Sequence, residues 1–314
     1  MEILKDISPY LDSIPDELFY SRNDPNDIRF GDIALRDFKD YAKADIVIVG
    51  CPDDTGVQRN KGRPGARFAP NEIRSQLYRF PVSSEHENIS LFDLGNIKIE
   101  DQLEKTHKNL HSVVKRLFDD GKKVVAVGGG NDISYPDCSA VASTEKKLLV
   151  FNIDKHLDVR LDSQITSGTP YRKLLDENII EPDLFFEIGI NSFWNSRSYI
   201  QYIEDIGAHI LYLGEIRKIG IGPVINNILQ ESQAEHVFWG FDLDVVRSSE
   251  APGVSDPGPM GFTASEICEI ADAAAHDQRT RIIEISEVNP VYDVDNMTSK
   301  LAANIIVRAL AGNH

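Results

Sequence analysis

Cysteine is scarce in this 314-residue chain, and the three present, Cys51, Cys138 and Cys268, are scattered with no CxxC pair among them. That excludes a disulfide framework and a zinc ribbon, and fits a reducing compartment. Long apolar runs are also lacking: nowhere do the roughly 18 consecutive apolar residues of a membrane span occur. The opening MEILKDISPYLDSIPDE has no apolar core behind a basic end, so no signal peptide is expected and a soluble, cytoplasmic protein is. Basic residues are outnumbered, 33 Lys and Arg against 50 Asp and Glu, which gives a net charge of -17. Such a surface repels nucleic acid and anionic membranes, and leaves a small molecule as the expected partner. No linker rich in Pro, Gly or Ser divides the chain, and its 41% hydrophobic content suffices for one large core.

Two short acidic runs stand out against this background. Asp154, His156 and Asp158 lie in FNIDKHLDVR, and Asp242 and Asp244 lie in FWGFDLDVV. In extended chain, residues at every second position point to one side, so each run aims its ligand-type groups together. An Asp at a strand end often only caps a helix or closes a turn. Both runs, however, follow strongly apolar segments, where several like charges are costly to bury without a cation between them. Carboxylates with one imidazole suit a hard or borderline divalent ion, above all Mn²⁺.

Apolar runs rich in β-branched residues alternate with stretches of helical period. Strands are predicted at 44–50, 123–129, 147–153, 184–190, 209–215, 236–241 and 281–287, and helices at 102–119, 194–205, 263–276 and 296–311. Thr263, and Asn296 or Thr298, are the predicted caps of the last two helices. This alternation means a parallel sheet covered by helices on both faces. In such sheets ligands bind beyond the carboxyl ends of strands. Both acidic runs fall there, as do GGGND (128–132) and SEVNP (286–290).

The order GRPGA (62–66), GGGND, DxHxD (154–158), SGTP (167–170), DxD (242–244) and EVNP (287–290) resembles the ureohydrolase superfamily of arginase, agmatinase and formimidoylglutamase. GVQRNKGRPGA, DVR after the first acidic run, SGTPY and EVNPVYDVDNMTSKLAA are most similar to the formimidoylglutamase branch. The resemblance runs from about Asp45 to the C-terminus. It implies an α/β protein, a three-layer α/β/α sandwich with a mostly parallel central sheet, as a single domain over 1–314 with residues 1–44 as an N-terminal extension packed on it. It also implies two Mn²⁺ ions per chain, a hydroxide nucleophile, and a homo-oligomer, trimer or hexamer. Asp154, Asp158 and Asp242 then become shared or bridging carboxylates, with His156 and Asp244 completing the second ion. Asp158 and Glu287 are the catalytic assignments, Glu287 pairing with the substrate nitrogens.

This chain departs from the pattern in three places. Where the superfamily carries a His ligand of the first ion, Asn131 stands, a neutral and weaker donor through its carbonyl oxygen, so weak occupancy of that site is expected. Asp132 is the other residue able to supply the ligand, or else it caps the next helix. Lys155 replaces a small residue; by alternation it leaves on the face opposite the ligands, whereas turned inward it would act as a resident cation. Tyr171 stands where a relative has a His for the leaving group, so the general acid is unassigned. Arg160, Asn60, Arg63, Ser167 and Thr169 are the residues near matched motifs able to bind substrate carboxylates. Arg160 ranks first, with bracing of the metal ligands as its alternative role. Arg63 has bracing of its own loop as an alternative, and the remaining histidines, His107 among them, have no partner motif.

Three functions follow: hydrolysis of formimidoylglutamate to glutamate and formamide, hydrolysis of another guanidino or amidino acid, or a catalytically silent scaffold. Asn131→His is expected to raise the number of Mn²⁺ ions retained per chain after desalting, counted by elemental analysis. No gain would implicate Lys155 instead.

Overall fold

Val, Ile and Phe dominate the predicted strands, and their branched or bulky side chains fill both faces of a pleated sheet. The computed structural model describes residues 4–86, 88–143 and 147–311. Nine strands form one sheet: β1 (Leu11–Asp12), β2 (Ile46–Cys51), β3 (Leu91–Ile97), β4 (Lys123–Gly128), β5 (Leu148–Ile153), β6 (Phe185–Ile190), β7 (His209–Tyr212), β8 (His236–Asp242) and β9 (Thr280–Ser286). Their order is β1-β3-β2-β4-β9-β8-β5-β6-β7. Among the strands of the described residues, only the short edge strand β1 pairs antiparallel.

Side-chain alternation divides the apolar residues between two cores. Ile46 and Ile48 of β2 and Val125 and Val127 of β4 join one core, under helices Ala69–Leu77, Leu213–Ile219, Ile221–Glu231, Ala264–His276 and Met297–Leu310. Val47, Val49, Val124 and Ala126 join the other, under Leu103–Asp119, Ser134–Ala142 and Pro170–Asp176. Helices on both faces explain why β2 and β5 are buried along their whole length. Leu4, Ile7, Leu11 and Tyr41, from the N-terminal stretch without motifs, are buried in the second core. Among the described residues no helix is long and apolar enough to cross a membrane.

All seven predicted strands form, with one shortened. The run at 209–215 stops at Tyr212, because Leu213 opens a helix. β3 escaped prediction because Asp93, Gly95 and Asn96 interrupt LFDLGNI with residues typical of turns. Its polar groups are instead satisfied from the neighbouring helix: Arg74 donates to Asp93 Oδ2 at 2.7 Å and Oδ1 at 3.0 Å, to Asn96 Oδ1 at 2.7 Å and to the Gly95 carbonyl at 2.8 Å. Tyr78 adds a short bond to Asp93. Thr263 caps its helix through a capping box with Glu266. At the last helix Asn296 holds the N-cap position, but its side chain makes no capping bond, and Thr298 lies inside the helix. Asp293 accepts from Thr298 N at 3.0 Å and Ser299 N at 2.9 Å, while the Thr298 hydroxyl accepts from Gly253 N.

The Arg74–Asp93 pair is fully buried on both sides. Removing one partner strands the other charge in the core, so Arg74→Ala is expected to cost about 3–5 kcal/mol, read as a lower urea midpoint.

Candidate metal centre

Four neighbouring strands, β4, β9, β8 and β5, deliver the site. Their carboxyl ends carry Asn131, Glu287, Asp242 with Asp244, and Asp154 to Asp158. The acidic runs are not extended, as alternation alone would have them. Asp154 Oδ1 accepts from His156 N at 2.8 Å and Asp242 Oδ1 from Asp244 N at 2.9 Å, so each run folds as a turn about its first Asp. The side chains still converge. Asp154, His156 and Asp158 offer ligand atoms within 4.8 Å of one another, and so do Asp154, Asp242 and Asp244. His156 Nδ1 lies 3.4 Å from both Asp154 Oδ1 and Asp244 Oδ2.

This crowding shapes the electrostatics. Burial, followed by repulsion from Asp244, pushes the Asp154 carboxyl up to about 6. Burial also drives Asp158 and Asp242 well above the usual carboxylate range, with neighbouring carboxylates adding to it. Asp244 goes the other way: burial works upward, but Lys155 and His156 beside it hold it below that range. Asp154 Oδ2 and Asp244 Oδ1 are buried with no hydrogen-bond partner. Unpartnered buried oxygens facing one imidazole are what a divalent cation needs, so the residues present fit Mn²⁺.

Asn131 meets this cluster through its amide nitrogen, which donates to Asp158 Oδ2 at 2.7 Å. Its carbonyl oxygen accepts from the Ser134 and Ser286 hydroxyls at 2.9 and 3.0 Å, so ligation through that oxygen requires the amide to turn over. Asp132 faces away, taking a 2.8 Å bond from His107 Nε2 beneath the site. His107, with no motif to mark it, is therefore the buried partner of that carboxylate. Glu287 is buried in a left-handed conformation, φ 63°, and accepts from Asn131 N at 2.8 Å. Burial raises its carboxyl to about 8. Asp158 shares the left-handed strain, φ 48°.

Lys155 does not leave on the opposite face. Its buried Nζ sits 3.7 Å from Asp244 Oδ2 and 3.3 Å from Asp256 Oδ2, and bonds the Asp256 carbonyl. The turned, non-extended run is the reason alternation misplaced it.

The carboxylate cluster opens on a cleft of about 580 Å³, lined by Asn60, Arg63, His156, Asp158, Arg160 and Asp256 among others. Arg160 is exposed, and its guanidinium makes no hydrogen bond or ion pair among the described residues. Arg63 lines the same cleft but is committed to the carbonyls of Val254 and Pro252 and stacks on Tyr292. Asn60 donates to the Ser167 hydroxyl at 3.0 Å; Ser167 is buried behind it, outside the lining. Thr169 spends its hydroxyl on the backbone of Thr166. Tyr171 is buried against Phe185, away from the cleft. Lys61 and Asn195 carry no signal in the sequence: Lys61 adds a cleft cation, and Asn195 ties the metal loop by accepting from Leu157 N and donating to the Lys155 carbonyl. A groove of about 910 Å³ elsewhere, between helices Ala69–Leu77, Ala264–His276 and Met297–Leu310, contains none of these groups.

The family model for the arginase family matches residues 44–312. The chain belongs to the arginase family. It is 35% identical to a formimidoylglutamase of Bacillus subtilis strain 168 over 260 residues, 79% of this chain and 82% of that protein. The crystal structure of formimidoylglutamase from Bacillus subtilis superposes with a TM-score of 0.87 at 32% identity, covering 98% of this chain and 97% of that one. A Trypanosoma cruzi formiminoglutamase solved with Mn²⁺ gives 0.85 at 30% identity, covering 91% and 98%. The three-layer, mostly parallel architecture is that of these arginase-family relatives.

The raised carboxyl of Asp154 has a stability consequence in metal-free protein. Its folded pKa, about 6, lies above the ordinary value, so its contribution is complete below pH ~4 and is lost as pH climbs through 6. Metal-free protein is expected to lose urea resistance between about pH 4 and 6, and added Mn²⁺ to restore it. A flat midpoint over that range would contradict the electrostatic account.

Proposed function

We propose that the protein is a manganese-dependent hydrolase that converts formimidoylglutamate and water to glutamate and formamide. The observation carrying this reading is the pairing of an unsatisfied carboxylate and imidazole cluster with a cleft whose Arg160 and Lys61 are suited to a dianionic substrate. The likeness to formimidoylglutamases supports the same choice. Two Mn²⁺ ions per chain, held by Asp154, His156, Asp158, Asp242 and Asp244, with Asn131 at the first site after its amide turns, belong to this proposal. So do a single domain over the whole chain, with residues 1–44 packed on it, and a homo-oligomeric assembly in the cytoplasm.

When bound, the metal supplies a water nucleophile at neutral pH. The protein's own groups do the rest. Arg160 and Lys61 hold the two substrate carboxylates, with Asn60 beside them, which places the formimidoyl carbon toward Asp158. Glu287 accepts from the amidine N–H groups, its Oε1 fixed by Asn131 N. The C–N bond to the glutamate nitrogen breaks, and that nitrogen leaves protonated. A silent scaffold is not favoured, because the five carboxylate and imidazole ligands are all present and converge.

Mn²⁺-loaded protein should release formamide from formimidoylglutamate. Release of urea from arginine, agmatine or a guanidino acid, with no formamide, would move the assignment to another ureohydrolase substrate. Arg160→Ala is expected to raise KM about 10- to 100-fold while kcat changes little, the signature of lost ground-state binding through a charged hydrogen bond; an unchanged KM would assign Arg160 to bracing instead.

A further inference from the structure

Asp256 belongs to none of the sequence motifs, yet it completes a ring with His156, Asp244 and Lys155. Its Oδ2 lies 3.2 Å from His156 Nε2 and 3.3 Å from Lys155 Nζ. On the far side, Asp244 Oδ2 lies 3.4 Å from His156 Nδ1 and 3.7 Å from the same Nζ. The arrangement fixes the imidazole. With Nε2–H donating to Asp256, Nδ1 is left facing Asp154 and Asp244, the position from which it can ligate an ion held among them. Lys155 is buried against both carboxylates, and it also bonds the Asp256 carbonyl, which holds the 255–257 segment on the cleft wall.

We infer that Asp256 and Lys155 are paired positioning residues with opposite effects on the metal centre: Asp256 holds His156 as a ligand and strengthens metal binding, whereas Lys155 competes with the ion for Asp244 and weakens it. The competition follows from geometry. An ion bound to Asp244 and His156 shares the carboxylate that the ammonium already faces, in a buried site where screening by water is weak. Lys155 in turn has no low-cost retreat, because its stem is enclosed and its other partner, Asp256, is tied to His156. Weak metal retention, which Asn131 alone suggested for the first ion, is thereby extended to the second for a different physical reason.

The inference rests on the metal-hydrolase reading, and metal affinity separates the two. Full-length protein stripped of metal is titrated with Mn²⁺, with free ion followed by electron paramagnetic resonance. Lys155→Met keeps the buried stem and removes the charge; the tightness of binding is expected to rise at least about tenfold. Asp256→Asn keeps the shape and removes the charge that orders His156; binding is expected to weaken about 10- to 100-fold. A role in packing alone would weaken binding in both, so the opposite signs are the readout. Thermal melting of both metal-free variants confirms that they fold; should Lys155→Met fail to, Lys155→Gln takes its place. Equal or weaker binding in the Lys155 variant, or unchanged binding in Asp256→Asn, overturns the inference and leaves the metal-hydrolase reading standing. No Mn²⁺ binding by any form overturns both.

Discussion

Mutual repulsion among buried carboxylates is the constraint on which the rest of this structure depends. Asp154, Asp158, Asp242 and Asp244 are gathered beyond the carboxyl ends of β5 and β8, all buried except Asp158, which is partly exposed. Left alone, such a cluster resolves its charge by holding protons, which is why three of the four carboxyls are pushed up and only the one against Lys155 and His156 is pushed down. A fold stabilised by a modest net free energy can carry that penalty only if something cationic relieves it in the working state. The surrounding architecture reads as the means of tolerating it: two large apolar cores, one on each face of a mostly parallel sheet.

Topology places the repulsion where it is useful. β4, β9, β8 and β5 are consecutive in the sheet but come from distant parts of the chain, so four loops approach one point with independent side chains. Close approach then demands residues without side chains. A Cβ on Gly129 would meet the Asp53 carbonyl oxygen at 1.7 Å, and one on Gly56 would meet Asp132 at 2.0 Å. The glycine run after β4 is therefore explained by backbone packing beneath the centre, with Asp132 and His107 as its buried support. No phosphate cradle needs to be invoked.

Much of this was legible in the sequence, and the failures have physical causes. Seven strands showed themselves as apolar runs because helices cover both faces and no alternation is needed. β3 stayed hidden because Asp93 and Asn96 look like turn residues until Arg74, nineteen and twenty-two positions away, is seen to satisfy them. The acidic cluster was legible because several acidic groups directly behind apolar strands are too costly to bury together without a cation. Orientation was not. Lys155 was expected on the wrong side because the alternation rule applies to extended chain, and Asp154 breaks that conformation by accepting the amide two residues on. Asp256 lay beyond reach altogether: nothing in VSDPG marks it, and its role arises only when the loop after β8 folds back over His156.

Two of the three departures from the superfamily pattern, Asn131 and Lys155, act on different properties of the centre. Replacing an imidazole by Asn131 alters donor strength but not charge, since both are neutral as ligands. Lys155 alters charge but not the donor set. Asp154, Asp158, Asp242, Asp244, Asp256 and Glu287 bring six carboxyl groups to the region, and burial favours the neutral form of Asp158, Asp242 and Glu287 while no cation is bound. On the two-ion reading, two divalent cations and the Lys155 ammonium bring five positive charges to these six groups. With one ion they bring three, and more of the carboxyls must keep their protons. Lys155 thus lowers the charge cost of the partly loaded state while competing with the ion that would complete it. A centre built this way tolerates metal loss better than one without the lysine, and that tolerance comes from the same contact that weakens the grip on the metal.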